Sequence, residues 1–98
     1  MALFEWDPDK DRTNRKKHGI SFEDAQALLE GADDFLEIYD GEHSDEEERF
    51  IAIGPIRLGI VVVVYTERHD DLIRIVSARK ATKKEVELFR KHHGGTDE

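Results

Sequence analysis

The sequence predicts one α+β domain built on an antiparallel sheet of four to five strands. Two helices precede most of the sheet and a third follows it. Three observations lead there. Strand-like segments follow one another from residue 49 to residue 79 with only short links, and strands adjacent in sequence tend to pair antiparallel. Capping signals bracket three helical stretches. The length, 98 residues, suits one modest core. The expectation is a single domain over residues 1–98, with helices on one side of the sheet and residues 93–98 as a frayed tail.

"ALFEW" reads as a short first strand. In "DPDK", Asp7 can cap a helix and Pro8 suits its first turn. That helix should reach His18 and stop at Gly19, with Lys16, Lys17 and His18 in the last turn, where cations suit the helix dipole. It is polar almost all round, so it should lie on the surface, anchored by Phe4 and Trp6 before it and Ile20 and Phe22 after it. Ser21, with Asp24 three positions on, opens a second helix whose buried stripe is Ala25, Leu28 and Leu29 and which Gly31 closes. "FLEIYD" (35–40) reads as a strand and "GEHSDEEE" as a loop. "RFIAIGPI" (49–56) and "RLGIVVVVYTE" (57–67) read as consecutive strands joined around Gly54 and Pro55. Four consecutive valines make the second of these central and covered on both faces. "LIRIVSAR" (72–79) is the last strand. Thr82 and Glu85 form a capping box for a final helix from Lys83 to about His92, with Val86, Leu88 and Phe89 inward.

Composition narrows the function. There is no cysteine, hence no disulfide and no thiolate metal site. The longest apolar run, Gly59 to Tyr65, is too short to cross a membrane, and "MALFEWDPDK" lacks the features of a signal peptide, so the expected location is the cytoplasm. The net charge is −8, but it is unevenly spread. Residues 23–48 hold twelve of the 23 Asp and Glu residues and none of the 15 Lys and Arg, whereas "DRTNRKKHGIS" (11–21) packs in four cations and a histidine. An acidic total opposes long-range attraction to nucleic acid, yet a local basic cleft is compatible with it. The acidic block is either a solvated face or a docking face for a basic partner.

Metal-free RNA cleavage needs a group to take the 2′-hydroxyl proton, a group to protonate the leaving 5′-oxygen, and cations on the phosphate. Candidates stand at three places: Lys17 and His18 at the end of the first helix, Glu67 and Arg68 at the end of the central strand, and Arg79 and Lys80 at the end of the last strand. Each also has a plain structural reading. Lys17 and His18 suit the helix dipole, Glu67 and Arg68 suit a solvated turn, and Arg79, near Glu67 in a hairpin, suits a surface ion pair. His43 beside "SDEEE" is a weak metal signal, His92 and His93 belong to the tail, and Trp6 and Tyr65 are core aromatics before they are base-stacking ones.

The segments "FEWDPDKDRTNRKKHGISFEDA" (4–25), "DGEHSDEEERFIAIG" (40–54) and "VVVVYTERHDDLIRIVSARKATKKE" (61–85) together resemble the BrnT toxins of bacterial type II toxin–antitoxin modules. The resemblance spans nearly the whole chain and implies a RelE-like fold. It implies a metal-independent endoribonuclease without cofactor, leaving a 2′,3′-cyclic phosphate and a 5′-hydroxyl. It also implies neutralisation by a BrnA-like ribbon-helix-helix antitoxin in a complex of two toxins with two antitoxins, which meets operator DNA only through the antitoxin. The family's "KHG", "YTER" and "SAR" motifs fall on Lys17–Gly19, Tyr65–Arg68 and Ser77–Arg79. Lys17, His18, Glu67 and Arg79 are the expected catalytic residues: Glu67 and His18 as base and acid, in either order, and Lys17 and Arg79 on the phosphate. Arg15, Lys16, Arg49, Arg68 and Lys80 are the expected RNA contacts, and all four catalytic groups are expected in one open pocket. The competing reading is a catalytically degenerate homologue that binds the antitoxin and acts with it as co-repressor.

Overall fold

A computed structural model describes residues 3–31, 34–43, 47–68 and 71–94. The elements are β1 (Leu3–Glu5), α1 (Pro8–His18), α2 (Phe22–Glu30), β2 (Leu36–Tyr39), a single 3-10 turn (Gly41–His43), β3 (Glu48–Ile56), β4 (Gly59–Arg68), β5 (Leu72–Lys80) and α3 (Lys83–Gly94). They form an α+β fold with a five-stranded sheet ordered β1-β5-β4-β3-β2. The β2–β3, β3–β4 and β4–β5 pairs are antiparallel, but β1 runs parallel to β5, so the sheet is mixed. The sheet is mostly antiparallel, as expected; β1 alone runs parallel to its neighbour, because that strand is followed by helices rather than a hairpin turn, which frees its direction.

β4 is central, as its valines predict, and its alternation sorts the core into two layers. Val61, Val63 and Tyr65 face Ile20, Phe22, Ala25 and Leu28 of the α1–α2 segment. Val62 faces the other way, into a cluster with Ile53 and Phe89 of α3. The helices therefore cover both faces, not one, since a strand apolar at every position must bury both of its sides. The second layer is small. α3 covers Leu36, Ile53, Ile60 and Val62 and leaves the other half of that face open.

Three local expectations change. Gly54 and Pro55 lie inside β3, and Arg57 and Leu58 make the turn, between the paired residues Ile56 and Gly59. A side chain at residue 54 would meet Phe35 Cβ at 2.7 Å and Leu28 Cδ1 at 2.8 Å, so the site demands glycine. β2 ends its pairing at Leu36–Ile53, which leaves Pro55 no neighbour needing a proton from its nitrogen. Leu88 is exposed, because Phe89 and Val86 take the inward stripe of α3. His92 and His93 belong to the last turns of α3, where His93 stacks on Phe89, and are not tail; residues 95–98 lie outside the described residues. Most of the acidic loop (44–46) and the tip of the β4–β5 turn (69–70) also lie outside them.

α1 starts and stops as its caps predict. The Asp7 side chain accepts from the Asp9 amide, and Gly19 takes a left-handed conformation (φ 73°) whose amide bonds the Arg15 carbonyl. Its anchor is polar. Asn14, 7% exposed, donates to the Ile20 carbonyl (2.9 Å) and the Ala78 carbonyl (2.7 Å) and accepts from the Ala78 amide (3.2 Å). β1 pairs only as far as Arg74, so the outer edge of β5 is bare at Ala78, and one side-chain amide completes it. Asp11 adds a bond from the Phe22 amide (2.8 Å) at the start of α2.

Asn14→Ala should therefore destabilise the domain by at least about 2 kcal/mol, since it leaves three buried backbone groups without a partner. Urea denaturation followed by circular dichroism measures this, and a loss below about 0.5 kcal/mol would refute the polar anchor.

Candidate active site

Pairing fixes which side chains share a surface, because residues opposite each other in neighbouring strands point the same way. On the α3 side of the sheet, Val62 faces Arg79, Val64 faces Ser77, Thr66 faces both Arg49 and Arg74, and Arg68 faces Leu72. The half of this face that α3 leaves open thus carries Arg49, Arg68 and Arg74, with Arg79 at its border.

These arginines are held by carboxylates. Arg79 makes a two-pronged bond to Glu85 of α3, with both contacts at 2.8 Å. The Glu85 carboxylate also accepts from the Thr82 amide (2.8 Å), so it caps α3 and orients Arg79 at once. The Arg79 guanidinium and the capping bond hold the Glu85 pKa down to about 2. Glu5 bridges Arg74 (2.9 Å) and Arg68 (3.1 Å), chiefly through the Arg74 bond, and its carboxyl is held below the usual range. Arg68 also bonds Glu47. The Thr66 hydroxyl is buried among these groups with no hydrogen-bond partner among the described residues.

A second feature adjoins this face. Lys17 and His18 line a groove of about 360 Å³ with Asp9, Thr13, Val76 and Ser77. At the groove β5 carries one extra residue: Ser77 opposes Val64 and Ile75 opposes Tyr65, which leaves Val76 as a bulge that lines the groove with α1. Ser77 belongs to both features. It lies on the arginine face and also lines the Lys17–His18 groove.

Not all of the expected site residues meet. Lys17 and His18 come together. Arg79 lies across the sheet edge from them, on the α3 side. Glu67 stands opposite Ile73, on the side of the first core layer, and about 17 Å along the strand from the residue that faces Arg79. The single pocket expected for all four does not form, and Arg79 pairs with Glu85 rather than Glu67. The reason is register: hairpin strands bring their near ends together, and Glu67 and Arg79 are at opposite ends of this pair. Glu67 instead joins Tyr65, whose hydroxyl donates to Glu37. Burial, then the charges of Glu37, Glu48 and Asp71, raise the Glu67 pKa. Tyr65 and Trp6 are core residues: Tyr65 stacks on Phe50 and Trp6 meets Phe22 edge-on.

Of the expected RNA contacts, Arg49 and Arg68 lie on the arginine face. Arg15 pairs with Asp11 (3.7 Å) on the exposed side of α1, and Lys16 and Lys80 are exposed. The sequence reading passed over Arg74, Ser77 and Glu85 as site residues. Arg74 was detectable as a cation between Ile73 and Ile75 in a strand, and Glu85 as the capping partner of Thr82. Ser77 needed the bulge.

The family model for "ribonuclease toxin, BrnT, of type II toxin-antitoxin system" matches residues 6–85. The chain belongs to the BrnT family. It is similar in structure to the crystal structure of the Brucella abortus ribonuclease toxin BrnT, with a TM-score of 0.62 and 26% identity, over 85% of this chain and 100% of that one. A search of curated proteins finds no match. BrnT membership makes this chain a ribonuclease toxin of a type II toxin–antitoxin system. Among the described residues, no helix is long and apolar enough to cross a membrane.

The Glu85–Arg79 bond sets a pH dependence. The Glu85 pKa is depressed in the folded state, so its contribution is full above the ordinary carboxylate pKa and fades as pH falls from about 4.5 towards about 2. Glu85→Gln should lower stability by about 1–2 kcal/mol at pH 7 and make little difference near pH 2. Thermal melts of both proteins across that range measure the convergence.

Proposed function

We propose that this toxin is a metal-independent endoribonuclease whose reacting phosphate sits over Ser77, between the Lys17–His18 groove and the arginine face. One observation carries the reading: Ser77 belongs to both surfaces, so a phosphodiester placed there meets the histidine and lysine on one side and guanidinium groups on the other. Imidazole suits proton transfer near neutral pH. His18 takes the proton from the 2′-hydroxyl, and the 2′-oxygen attacks phosphorus. The bond to the 5′-oxygen breaks, and Lys17 supplies the proton that oxygen gains. The products are a 2′,3′-cyclic phosphate and a 5′-hydroxyl. Arg79, Arg74 and Arg68 stabilise the charge on the phosphate oxygens and hold the neighbouring phosphates, with Arg49, Arg15, Lys16 and Lys80 as outer contacts. Glu67, on the other side of the sheet, has no part in this scheme. The partner is a BrnA-like antitoxin, two copies with two toxins, and the toxin acts in the cytoplasm, where its RNA is.

A second reading rests on a specific feature. Arg68, Arg74 and Arg79 all have carboxylate partners. Phosphate must compete with Glu5, Glu47 and Glu85, and a chain in which it fails to compete would be a degenerate toxin that only binds its antitoxin.

Purified toxin incubated with RNA in EDTA separates the two. Continued cleavage to cyclic-phosphate ends is the expected result, and no cleavage with or without divalent metal would leave only the binding module. His18→Ala should slow cleavage about 10²–10⁴-fold, the range for loss of a general acid or base. Arg79→Ala should also abolish growth arrest on induction, and both variants should fold normally by circular dichroism. A fully toxic, folded His18→Ala would overturn the site.

A further inference from the structure

The outer edge of β2, the last strand of the sheet, is not paired by any other strand of the described residues. The Asp40 amide donates to the Arg49 carbonyl (2.8 Å), which makes even-numbered residues the ones that bond inward to β3. The amides and carbonyls of Glu37 and Tyr39 therefore point outward. Natural edge strands are protected by being short, by charged side chains, by proline or by a bulge. "LEIY" is short and carries one charge, Glu37, but it has no lysine, proline or bulge, and its pairing with β3 is unbroken. Its two apolar side chains are also exposed, Ile38 at 37% and Tyr39 at 55%, one on each side of the strand.

Charge selects the occupant. Asp34 precedes the strand, Glu37 lies in it and Glu42 follows it; all three are exposed, within a stretch that has no Lys or Arg from residue 23 to residue 48. A second copy would bring this acidic stretch against itself. A cationic segment would not.

We propose that β2 is the docking strand for an extended, basic segment of the antitoxin, which pairs with the backbone of Glu37 and Tyr39 and covers Ile38 and Tyr39. This rests on the toxin–antitoxin reading and not on the catalytic scheme. The edge lies at the far side of the sheet from α1, so the antitoxin gains a grip that leaves the arginine face to other contacts.

The test uses the full-length toxin with its antitoxin, co-expressed and purified as a complex. Amide exchange at Glu37 and Tyr39 should slow at least tenfold on binding. Because the Tyr39 amide points outward, Tyr39→Pro removes the intermolecular donor without touching the bonds to β3. It should weaken antitoxin binding at least tenfold beyond Tyr39→Ala, while RNA cleavage by the free toxin is unchanged. A complex in which both amides exchange as fast as in the free toxin overturns the docking strand and leaves the toxin reading standing, as does a Tyr39→Pro toxin that folds and binds like Tyr39→Ala. Failure of the two proteins to associate overturns both. A free toxin that sediments as a dimer with these amides protected assigns the edge to a second copy and overturns the proposal. Protection at β2 in a toxin that cleaves no RNA supports the docking strand and removes only the catalytic scheme.

Discussion

The Asn14 amide, buried between α1 and β5, is the contact on which the arrangement of the site depends. α1 has almost no apolar surface, so hydrophobic burial cannot set its position. Asn14 sets it instead, by bonding both backbone groups of Ala78 and the carbonyl of Ile20. A hydrogen bond is directional where apolar contact is not, and its loss is costly once its partners are buried. The same contact holds Lys17 and His18 one helical turn further along, beside the Val76 bulge. A helix free to slide over the strand would carry the two side chains away from Ser77.

The second constraint is the unequal cover of the sheet. The α1–α2 layer buries its half of β4 thoroughly, while α3 reaches only the end that carries Val62 and Ile60. The remaining area carries arginines, and each of Arg68, Arg74 and Arg79 is held by a carboxylate. Such pairs do little for stability where they are exposed, and their larger effect is to fix the guanidinium orientation. In the proposed scheme they also make RNA binding an exchange of partners. A phosphodiester, whose two non-bridging oxygens share one negative charge, can take the same fork geometry and so competes with Glu5 or Glu85 for these guanidinium groups. An acidic chain can in this way present a basic surface of limited extent while its net charge stays negative.

The carboxylate group on the other face has a different character. Tyr65 is buried, its hydroxyl is bound by Glu37, and its ionisation is suppressed by that burial and by the neighbouring charges. Glu67 at its margin is harder to ionise than an ordinary glutamate, first because of burial. A raised carboxyl pKa is a frequent mark of catalysis, but like charges gathered at a sheet end produce it as well. Glu67 faces the opposite side of the sheet from Arg49, Arg74 and Arg79, and the charges that raise its pKa are the carboxylates Glu37, Glu48 and Asp71.

The sequence alone determined whatever depends on neighbours along the chain. Asp7, Pro8 and Gly19 bounded α1, Ser21 and Asp24 opened α2, Thr82 and Glu85 opened α3, and four valines marked the central strand, because caps and periodicity act over a few residues. The resemblance, carried by motifs read in order, gave the family. Tertiary structure decided the rest. The parallel pairing of β1, the placement of Gly54 within a strand, the bulge at Val76 and the separation of Glu67 from Arg79 all follow from register, which is fixed by packing between segments distant in sequence. One residue of shift turns a side chain to the opposite face of a sheet, so no reading of local pattern could say which of the charged residues would share a surface.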